Sequence, residues 1–399
     1  MSNGAPGESP KAVSAKLPKA GAAGEAAGFE PQVACSVLVP VYNEERYVER
    51  SVEAMRRQRF DGPLEFIFAD GGSSDRTRAI LESLAREDPR IRVVENPRRS
   101  VSSGLNVALA HARGRWVARM DAHATYPEDY LALGVQRLLR GGTRWVSGPQ
   151  VPRGDNLVSR AVALALSTPL GRGGSRKWAS RPDAFERMPV RARDEQEFEL
   201  DSGVFTGVWE RATLLEYGGW DERWPRNSDS EMAGRFLARG ERLVCVPAMG
   251  AIYVPRRTLS GLWRQYLDYG EYRAKTARRH PHTLRRSHLL APGLVVDAAL
   301  AACGPRRGRP LGRAGLGAYA AALAAATLAA ARARPQPEAL LVPVVLPIMH
   351  LAHGLGFLRG ALRHGPPLAA LGQATGLTPR AAVARPDGEV VFNPSLSRR

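Results

Sequence analysis

The sequence predicts an α/β fold: a mostly parallel sheet with flanking helices, followed by apolar helices toward the C-terminus. From residue 33 onward, short apolar runs alternate with segments whose apolar residues recur at helical spacing. Strands and helices that alternate in this way form parallel sheets covered on both faces. The predicted strands span residues 35–40, 64–69, 91–94 and 116–120.

The segments between these strands are predicted to be helices. Val48, Val52 and Met55 recur at helical spacing in the first of them, residues 44–58. The second helix starts near residue 75, after a Gly/Ser turn, and the third spans residues 105–112. Ligands of parallel sheets bind beyond the carboxyl ends of the strands, so the polar residues at those ends are candidate site residues. They are Asn43, Glu44, Asp70 and Asp121.

The chain is strongly basic. Its 399 residues include 57 Lys and Arg against 39 Asp and Glu, which gives a net charge of +18. Such a chain is expected to meet an anionic partner, either nucleic acid, acidic lipid or a phosphorylated substrate. The sequence contains no zinc, helix-turn-helix or RNA-recognition signature, so we expect no nucleic-acid partner.

The cysteines and the N-terminal segment indicate the compartment. Cys35, Cys245 and Cys303 are scattered, without a CxxC pair or metal-type spacing, which indicates a reducing environment. Residues 1–32 are rich in Ala, Gly, Pro and Ser and contain no apolar stretch of signal-peptide length. We expect these residues to form a disordered tail, and the folded part that follows to lie in the cytosol.

Three apolar segments follow residue 288, at residues 289–303, 315–331 and 340–358. A membrane span needs about 20 predominantly apolar residues, so the first segment is expected to lie at the membrane interface and the next two to form a hairpin. Arginines between the first two segments favour the cytoplasmic side. The chain is therefore predicted to lie at the cytoplasmic face of the cell membrane. Its predicted parts are a tail (1–32), an α/β domain (33–288), membrane-associated helices (289–365) and a loose C-terminal tail (366–399).

Two motifs at strand ends offer nucleotide contacts. V-P-V-Y-N-E at residues 39–44 ends a strand in a polar turn, which could hold a base or ribose or simply cap the next helix. D-G-G-S-S-D-R-T at residues 70–77 places Asp70 at a strand tip. A capped turn explains its glycines and serines but not Asp70. A carboxylate there can accept a hydrogen bond from a ring N–H of uracil or guanine.

Two further motifs offer catalytic chemistry. Asp121 and His123 leave the fourth strand together and can both reach one divalent ion, which would neutralise a diphosphate leaving group. An isolated D-x-H pair is also common by chance. Asp229, within N-S-D-S-E at residues 227–231, precedes a helical pattern and is either a helix-capping residue or a catalytic base.

Taken in order, these motifs resemble those of family 2 glycosyltransferases with the GT-A fold. They are most similar to the exopolysaccharide-type members associated with succinoglycan-like polymers. The resemblance covers about residues 36–292. It also includes G-L-N at residues 104–106, G-G-W-D-E at 218–222 and P-R-R-T-L-S-G-L-W-R-Q-Y-L-D-Y-G at 255–270.

The resemblance implies a nucleotide-sugar donor, a divalent cation (Mn²⁺ or Mg²⁺) held by Asp121 and His123, and Asp229 as the base of an inverting transfer. His123 stands where most of the family has a second Asp, which predicts weaker or more Mn²⁺-biased metal binding. Trp220 fits core packing, and Arg256 fits a membrane-facing charge, at least as well as the roles implied for them. The implied donor-binding residues are Pro40, Tyr42, Glu44, Asp70, Asn106 and Asp121. The implied acceptor or phosphate contacts are Glu231, Trp220, Arg256, Arg264 and Gln265.

These implications predict an inverting glycosyltransferase that moves a sugar from a nucleotide-diphosphate sugar to a lipid-linked or growing saccharide acceptor. The expected setting is exopolysaccharide or cell-surface glycan synthesis next to anionic lipid. Two alternatives stay open: a polyprenyl-phosphate sugar transferase, and a non-catalytic nucleotide-sugar-binding membrane scaffold. A sugar nucleotidyltransferase is disfavoured, because its Gly-rich phosphate loop with Arg or Lys near the first strand is absent from the sequence.

Overall fold

The computed structural model describes residues 33–177, 196–333, 336–379, 382–385 and 390–391. The predicted tail, residues 1–32, lies outside this range. Strands and helices alternate through the first part of the chain, as the sequence predicts. Its elements are β1 (Cys35–Val41), α1 (Val48–Arg56), β2 (Leu64–Asp70), α2 (Thr77–Glu87), β3 (Ile91–Glu95), α3 (Val101–His111), β4 (Trp116–Arg119), β5 (Ala124–Thr125), α4 (Tyr130–Leu139), β6 (Trp145–Ser147), β7 (Gln150–Pro152), α5 (Leu157–Ser167) and α6 (Pro169–Arg172).

The second part of the chain completes the sheets and then becomes helical. Its elements are β8 (Phe198–Glu199), β9 (Gly207–Glu210), α7 (Arg211–Glu216), α8 (Ser228–Ala238), β10 (Leu243–Cys245), β11 (Ala251–Tyr253), α9 (Leu259–Arg279), α10 (Leu290–Cys303), α11 (Arg309–Ala333), α12 (Val342–His364), α13 (Leu368–Thr375), β12 (Val383–Ala384) and β13 (Val390–Val391).

The main sheet has eight strands in the order β3-β2-β1-β4-β9-β6-β10-β8. β1 pairs in parallel with β2 and β4, β2 with β3, and β6 with β10. β9 runs antiparallel to both of its neighbours, and β8 runs antiparallel to β10. A smaller sheet has the order β5-β11-β7. The α/β class and the parallel first half are confirmed, whereas the antiparallel β9 is not evident from the sequence.

Both faces of the parallel half are covered by helices. Val39 of β1 and Phe68 of β2 pack toward α1, α2 and α4, while Leu38 and Ile67 pack toward α3 and α8. All four side chains are fully buried. Burying a side chain of this kind stabilises the fold by about 1.5–3 kcal/mol. Because both faces are buried, the strands are continuous apolar runs in the sequence rather than alternating ones.

The C-terminal helices pack onto the α/β domain through α9. A Cβ atom added to Gly356 of α12 would lie 2.0 Å from the carbonyl oxygen of Leu267 in α9, so glycine lets the two backbones touch. Ion pairs reinforce the contact, since Glu271 of α9 pairs with Arg359 and Arg363 of α12. The predicted boundary at residue 288 therefore separates two parts of the chain that share a closely packed interface.

Two segments are long and apolar enough to cross a membrane by length and composition, residues 309–332 and 337–364. The first is almost wholly exposed, and nearly half of the second is buried against the rest of the protein. α10, the first predicted apolar segment, has only 14 residues.

The loose tail predicted for residues 366–399 is wrong for the residues that the structure describes there. α13 buries Ala370 and Ala374 against α9 and the segment that follows it. Further on, Arg385 is buried and donates to the Glu199 carboxylate of β8 across 2.6 Å. Apolar packing and this ion pair fix the segment to the sheet edge.

Candidate active site

A cavity of about 610 Å³ opens beyond the carboxyl ends of β1 and β4. This is where ligands of parallel α/β sheets bind. Its walls come from the loops after these strands, from residues 96–101, and from the segment between β11 and α9. The site residues predicted from the sequence that line it are Pro40, Tyr42, Glu44, Asp121, His123, Arg256 and Gln265.

The loop after β1 is fixed to the turn after β2. Asn43 has a positive φ of 54°, and its Oδ1 accepts a hydrogen bond from the Ser74 backbone N–H at 2.8 Å. The backbone N–H of Glu44 donates to the Thr77 hydroxyl at 2.7 Å. These contacts hold the first wall of the cavity in place through two motifs that are about thirty residues apart in the chain.

Asp70 shapes this wall but does not line the cavity. Its side chain is fully buried, and its carboxylate accepts hydrogen bonds from the Ser73 hydroxyl at 2.6 Å and the Ser73 backbone N–H at 3.1 Å. The next residue, Gly71, lies against the ring of Tyr42, which is exposed in the cavity. Asp70 supports the turn beside Tyr42, and its direct contact with a base stays a prediction.

Asp121 is held by a buried arginine. Arg119 Nε donates to Asp121 Oδ1 at 2.9 Å and Arg119 Nη2 to Oδ2 at 3.1 Å, a bidentate pair that fixes the plane of the carboxylate. The Asp121 backbone N–H donates to the Tyr126 hydroxyl at 2.7 Å. Burial alone would lower the pKa of Arg119, but the charge of Asp121 raises it above its ordinary value, so the guanidinium stays charged.

His123 is oriented by Glu44. Its Nδ1 lies 3.0 Å from Glu44 Oε1, so a proton on Nδ1 is donated to this carboxylate and Nε2 is left for another ligand. Desolvation disfavours the charged imidazole, but the hydrogen bond and charge of Glu44 raise the pKa of His123 above its ordinary value. The carboxylate–histidine pair resembles the arrangement that fixes metal-binding histidines elsewhere.

The cavity walls carry more cations than anions. Four arginines line it, and its two carboxylates, Glu44 and Asp121, already face His123 and Arg119. Such a cavity suits a phosphate-bearing ligand. Arg256 and Arg257 lie in the motif at residues 255–270, and Arg226 directly precedes the motif at 227–231, whereas Arg99 follows β3 in a loop without a motif. The arginines are Arg99, Arg226, Arg256 and Arg257.

Asp229 lies in the first turn of α8, after Asn227, whose φ of 59° turns the chain into the helix. It is half-buried, and its charge acts on Arg119, Lys177 and Arg273. Burial lowers the pKa of Lys177 to about 8, against the opposing charge of Asp229. Asp229 is not among the residues that line the cavity, and its charge raises the pKa of Arg119, the partner of Asp121.

Three predicted site residues have structural roles instead. Both amide protons of Asn106 donate to the 220–222 segment, and its Oδ1 accepts from the Trp220 N–H at 2.9 Å. Trp220 is only 2% exposed and packs edge-on against Trp209. Glu231 is fully buried beside Arg235, at 3.0 Å, with His280 also near its carboxylate. The donor role of Asn106 and the acceptor roles of Trp220 and Glu231 are corrected accordingly.

The two remaining residues lie on α9. Gln265 lines the cavity and donates to the Tyr269 hydroxyl at 3.0 Å, whereas Arg264 is exposed and does not line it. Sequence reasoning missed Arg119. The only feature of the sequence that could have identified Arg119 is its place in a predicted buried strand, two residues before Asp121. An arginine buried there needs a carboxylate partner.

The chain is similar in sequence to known glycosyltransferases. The family model described as Glycosyl transferase family 2 matches residues 36–194. The succinoglycan biosynthesis protein ExoA of Rhizobium meliloti (strain 1021) is 31% identical over 82% of this chain and 94% of its own length. A dolichyl N-acetyl-α-D-glucosaminyl phosphate diacetamido-dideoxy-glucuronosyltransferase of Methanococcus voltae is 21% identical over 61% of this chain and 74% of its own. Among solved structures, a mannosyltransferase from Pyrobaculum calidifontis in complex with GDP-Man and Mn²⁺ is 24% identical, with a TM-score of 0.49 over 83% of this chain and 87% of its own.

The Arg119–Asp121 pair gives a direct test of the site's construction. Arg119→Met leaves the Asp121 carboxylate buried without its partner, and we expect it to lower the free energy of unfolding by about 3 kcal/mol. The double variant Arg119→Met/Asp121→Leu removes both charges and should recover most of that loss. Denaturant unfolding of the single and double variants measures both values. A double variant no more stable than Arg119→Met would contradict the pairing.

Proposed function

This chain belongs to glycosyltransferase family 2, and from that premise we propose that it transfers a sugar from a nucleotide-diphosphate sugar to a saccharide acceptor with inversion at the anomeric carbon. The observation that carries the proposal is the 610 Å³ cavity, in which Asp121 and His123 face four arginines at the carboxyl ends of the strands. A nucleoside diphosphate has the negative charge that these walls lack. Tyr42 offers an exposed ring on which a base can stack.

The residues present fit a divalent cation. No group of three or more His, Cys, Asp or Glu side chains is arranged as a metal site in the part of the chain that the structure describes. Asp121 and His123 would hold the ion together with the donor diphosphate, since Mg²⁺ at phosphate sites is usually bound by only one or two protein ligands. When bound, the ion neutralises the departing diphosphate. Imidazole favours Mn²⁺ more than a second carboxylate would.

Asp229 is proposed as the base. Its carboxylate takes the proton of the acceptor hydroxyl while that oxygen forms a bond to the anomeric carbon. The bond from that carbon to the diphosphate oxygen breaks on the opposite face, which inverts the centre. The charge of this carboxylate acts on Arg119, which also bonds Asp121.

The acceptor proposal rests on the relatives. One is named for succinoglycan biosynthesis and another for transfer to a dolichyl-linked sugar phosphate, and we infer that this chain extends a lipid-linked saccharide in exopolysaccharide synthesis. The polyprenyl-phosphate alternative predicts activity with the lipid phosphate alone. The scaffold alternative predicts donor binding without hydrolysis or transfer.

The protein is proposed to sit on the cytoplasmic face of the membrane with its C-terminal helices in the lipid surface. α11 and the outer side of α12 expose apolar side chains, including Leu328, Val344 and Leu355. A full crossing by α12 would draw the part of α9 that packs along it, around Leu267 and Gly270, toward the hydrocarbon layer, and α9 carries many charged residues. We therefore propose that the helices lie at the interface rather than forming the predicted hairpin.

The first test is hydrolysis of UDP-, GDP- and dTDP-sugars by the detergent-purified protein with Mn²⁺, with Asp121→Ala measured in parallel. We expect slow hydrolysis of one donor and its loss in Asp121→Ala. Hydrolysis that persists in this variant would contradict the assignment of the cavity. Transfer assays with the active donor then compare a lipid-linked saccharide with polyprenyl phosphate alone, and product from the phosphate alone would favour the alternative.

Asp229→Asn should retain donor affinity and lose about 10²–10⁴-fold in kcat, because general-base catalysis typically contributes that much. The measurement is kcat for transfer together with calorimetric donor binding. Asp61→Asn, an exposed carboxylate in the turn between α1 and β2, is the control and should retain activity. A kcat near that of the wild type in Asp229→Asn would reject the base assignment.

His123→Asp should shift activation from Mn²⁺ toward Mg²⁺, because it replaces an imidazole with a hard, charged ligand. The measurement is the ratio of donor hydrolysis with the two ions. His111→Asp, at the exposed end of α3, controls for the added charge. If the ratio is the same in the wild type and His123→Asp, His123 is not a ligand.

Arg332→Cys in a Cys303→Ser background tests the membrane arrangement. Position 332, at the exposed end of α11, lies outside the cell if α11 and α12 form a hairpin, and inside if they lie on the cytoplasmic surface. We expect a membrane-impermeant maleimide to label it in lysed but not in intact cells. Cys35 and Cys245 are buried, and burial raises their thiol pKa values, so they give little background. Labelling in intact cells would restore the hairpin.

A further inference from the structure

A second basic cleft, of about 480 Å³, lies where the C-terminal ends of α9 and α12 meet the 221–224 segment. An α-helix rises 1.5 Å per residue, so Arg279 lies about 20 Å along α9 from Gln265 of the donor cavity. The cleft is thus a separate place on the molecule. Its lining residues are Trp224, Lys275, Arg278, Arg279, Arg363 and His364.

The cleft has an excess of positive charge. Arg279 pairs with Asp221 at 2.5 Å, and Arg363 pairs with Glu271 at 3.1 Å. Lys275 and Arg278 form no ion pair with any residue in the described ranges. These two cations are therefore available to an anion from solution or from the membrane.

Lys275 is held in place with donors to spare. Its Nζ donates to the Arg223 carbonyl at 2.6 Å and lies 4.1 Å from the centroid of the Trp224 ring. An ammonium has three protons, so two remain for a ligand. Burial, together with the nearby charges of Arg223 and Arg279, lowers the pKa of Lys275 despite the opposing charge of Asp221. A bound anion would relieve this crowding of cations.

Arg278 is accommodated by a glycine. Gly365 follows α12 directly, with a φ of +89°, and a Cβ atom there would lie 3.0 Å from the Arg278 guanidinium carbon. Any side chain at this position would push against the guanidinium, and the backbone conformation is one that glycine adopts readily. The end of α12 thus leaves space for Arg278 at the cleft.

Exposed leucines that neighbour the cleft residues in sequence favour one kind of anionic ligand over another. Leu362 is 88% exposed and Leu368 is 69% exposed, on either side of Arg363 and His364. A soluble phosphate cannot make apolar contacts with these leucines, whereas a phospholipid carries acyl chains next to its phosphate that can. Resting on the membrane-surface arrangement above, we propose that this cleft binds the headgroup phosphate of an anionic phospholipid.

The test uses the full chain in a non-ionic detergent and does not depend on insertion into a bilayer. Calorimetric titration compares dihexanoyl-phosphatidylglycerol, its neutral counterpart dihexanoyl-phosphatidylcholine and inorganic phosphate. We expect saturable binding of phosphatidylglycerol, weaker binding of inorganic phosphate and none of phosphatidylcholine. Equal binding of the two lipids would overturn the proposal, as would phosphate binding more tightly than phosphatidylglycerol.

A charge-matched pair of variants locates the binding. Lys275→Gln/Arg278→Gln should weaken phosphatidylglycerol binding at least about tenfold, since each basic residue near an anionic lipid contributes measurably to affinity. Arg57→Gln/Arg59→Gln removes the same charge from exposed residues at the end of α1 and should bind like the wild type. Equal weakening in both variants would show a general charge effect and overturn the site.

Donor hydrolysis, measured on the same preparations, separates the two proposals. Hydrolysis without phosphatidylglycerol binding overturns the cleft and leaves the proposed function standing. The opposite outcome is a protein that neither hydrolyses a donor nor transfers a sugar, but binds phosphatidylglycerol and loses this binding in Lys275→Gln/Arg278→Gln. That outcome supports the cleft and overturns the proposed function.

Discussion

The parallel pairing of β1 with β2 and β4 is the constraint on which the active site depends. The register places Val41 level with Asp70, and Asp70 level with Glu95, so three strands end along one line. Arg119 of β4 is opposite Leu38, which brings Asp121 to the same edge two residues later. Motifs separated by tens of residues are therefore brought together by the strand pairing itself. The hydrogen bonds between the turns then only adjust the positions of the loops that follow the strands.

The buried carboxylates in and near the two basic regions are paired. Asp121 bonds Arg119, Glu231 lies against Arg235, and Glu271 bonds the arginines of α12. A buried charge left without its partner would cost several kcal/mol, so these pairs stabilise the fold as well as the site. Part of the surplus of the chain's +18 charge lies on side chains that line the two cavities. Charge in a cavity attracts a ligand, whereas charge spread over an open surface is largely screened.

The parts of the structure that can be predicted are those whose pattern lies within a short stretch of sequence. The first strands and helices follow from continuous apolar runs and helical spacing, and Asp121 and His123 follow from their place at a strand end. The short strands β6, β9 and β10 have three or four residues each, too few for a period to show. Motif order suggested sugar or donor contacts for Trp220 and Asn106, but it carries no information on burial, which tertiary packing decides. The second cleft draws on three separate segments, so no single stretch of sequence reveals it.

α9 connects the two basic regions and, in the proposed membrane arrangement, fixes their relation to the lipid. Its N-terminal half contributes Gln265 to the donor cavity, and its C-terminal half contributes Lys275 to the cleft. One side of the same helix packs along α12, backbone against backbone at Gly356, so the distance between the donor cavity and the cleft cannot vary without breaking that contact. In the proposed arrangement this rigid spacing suits a lipid-anchored acceptor, because the sugar to be extended must reach the proposed base, Asp229, from a fixed height. In that arrangement the charges of α9 would keep it out of the hydrocarbon layer, and the apolar faces of α11 and α12 would hold the protein at the lipid surface.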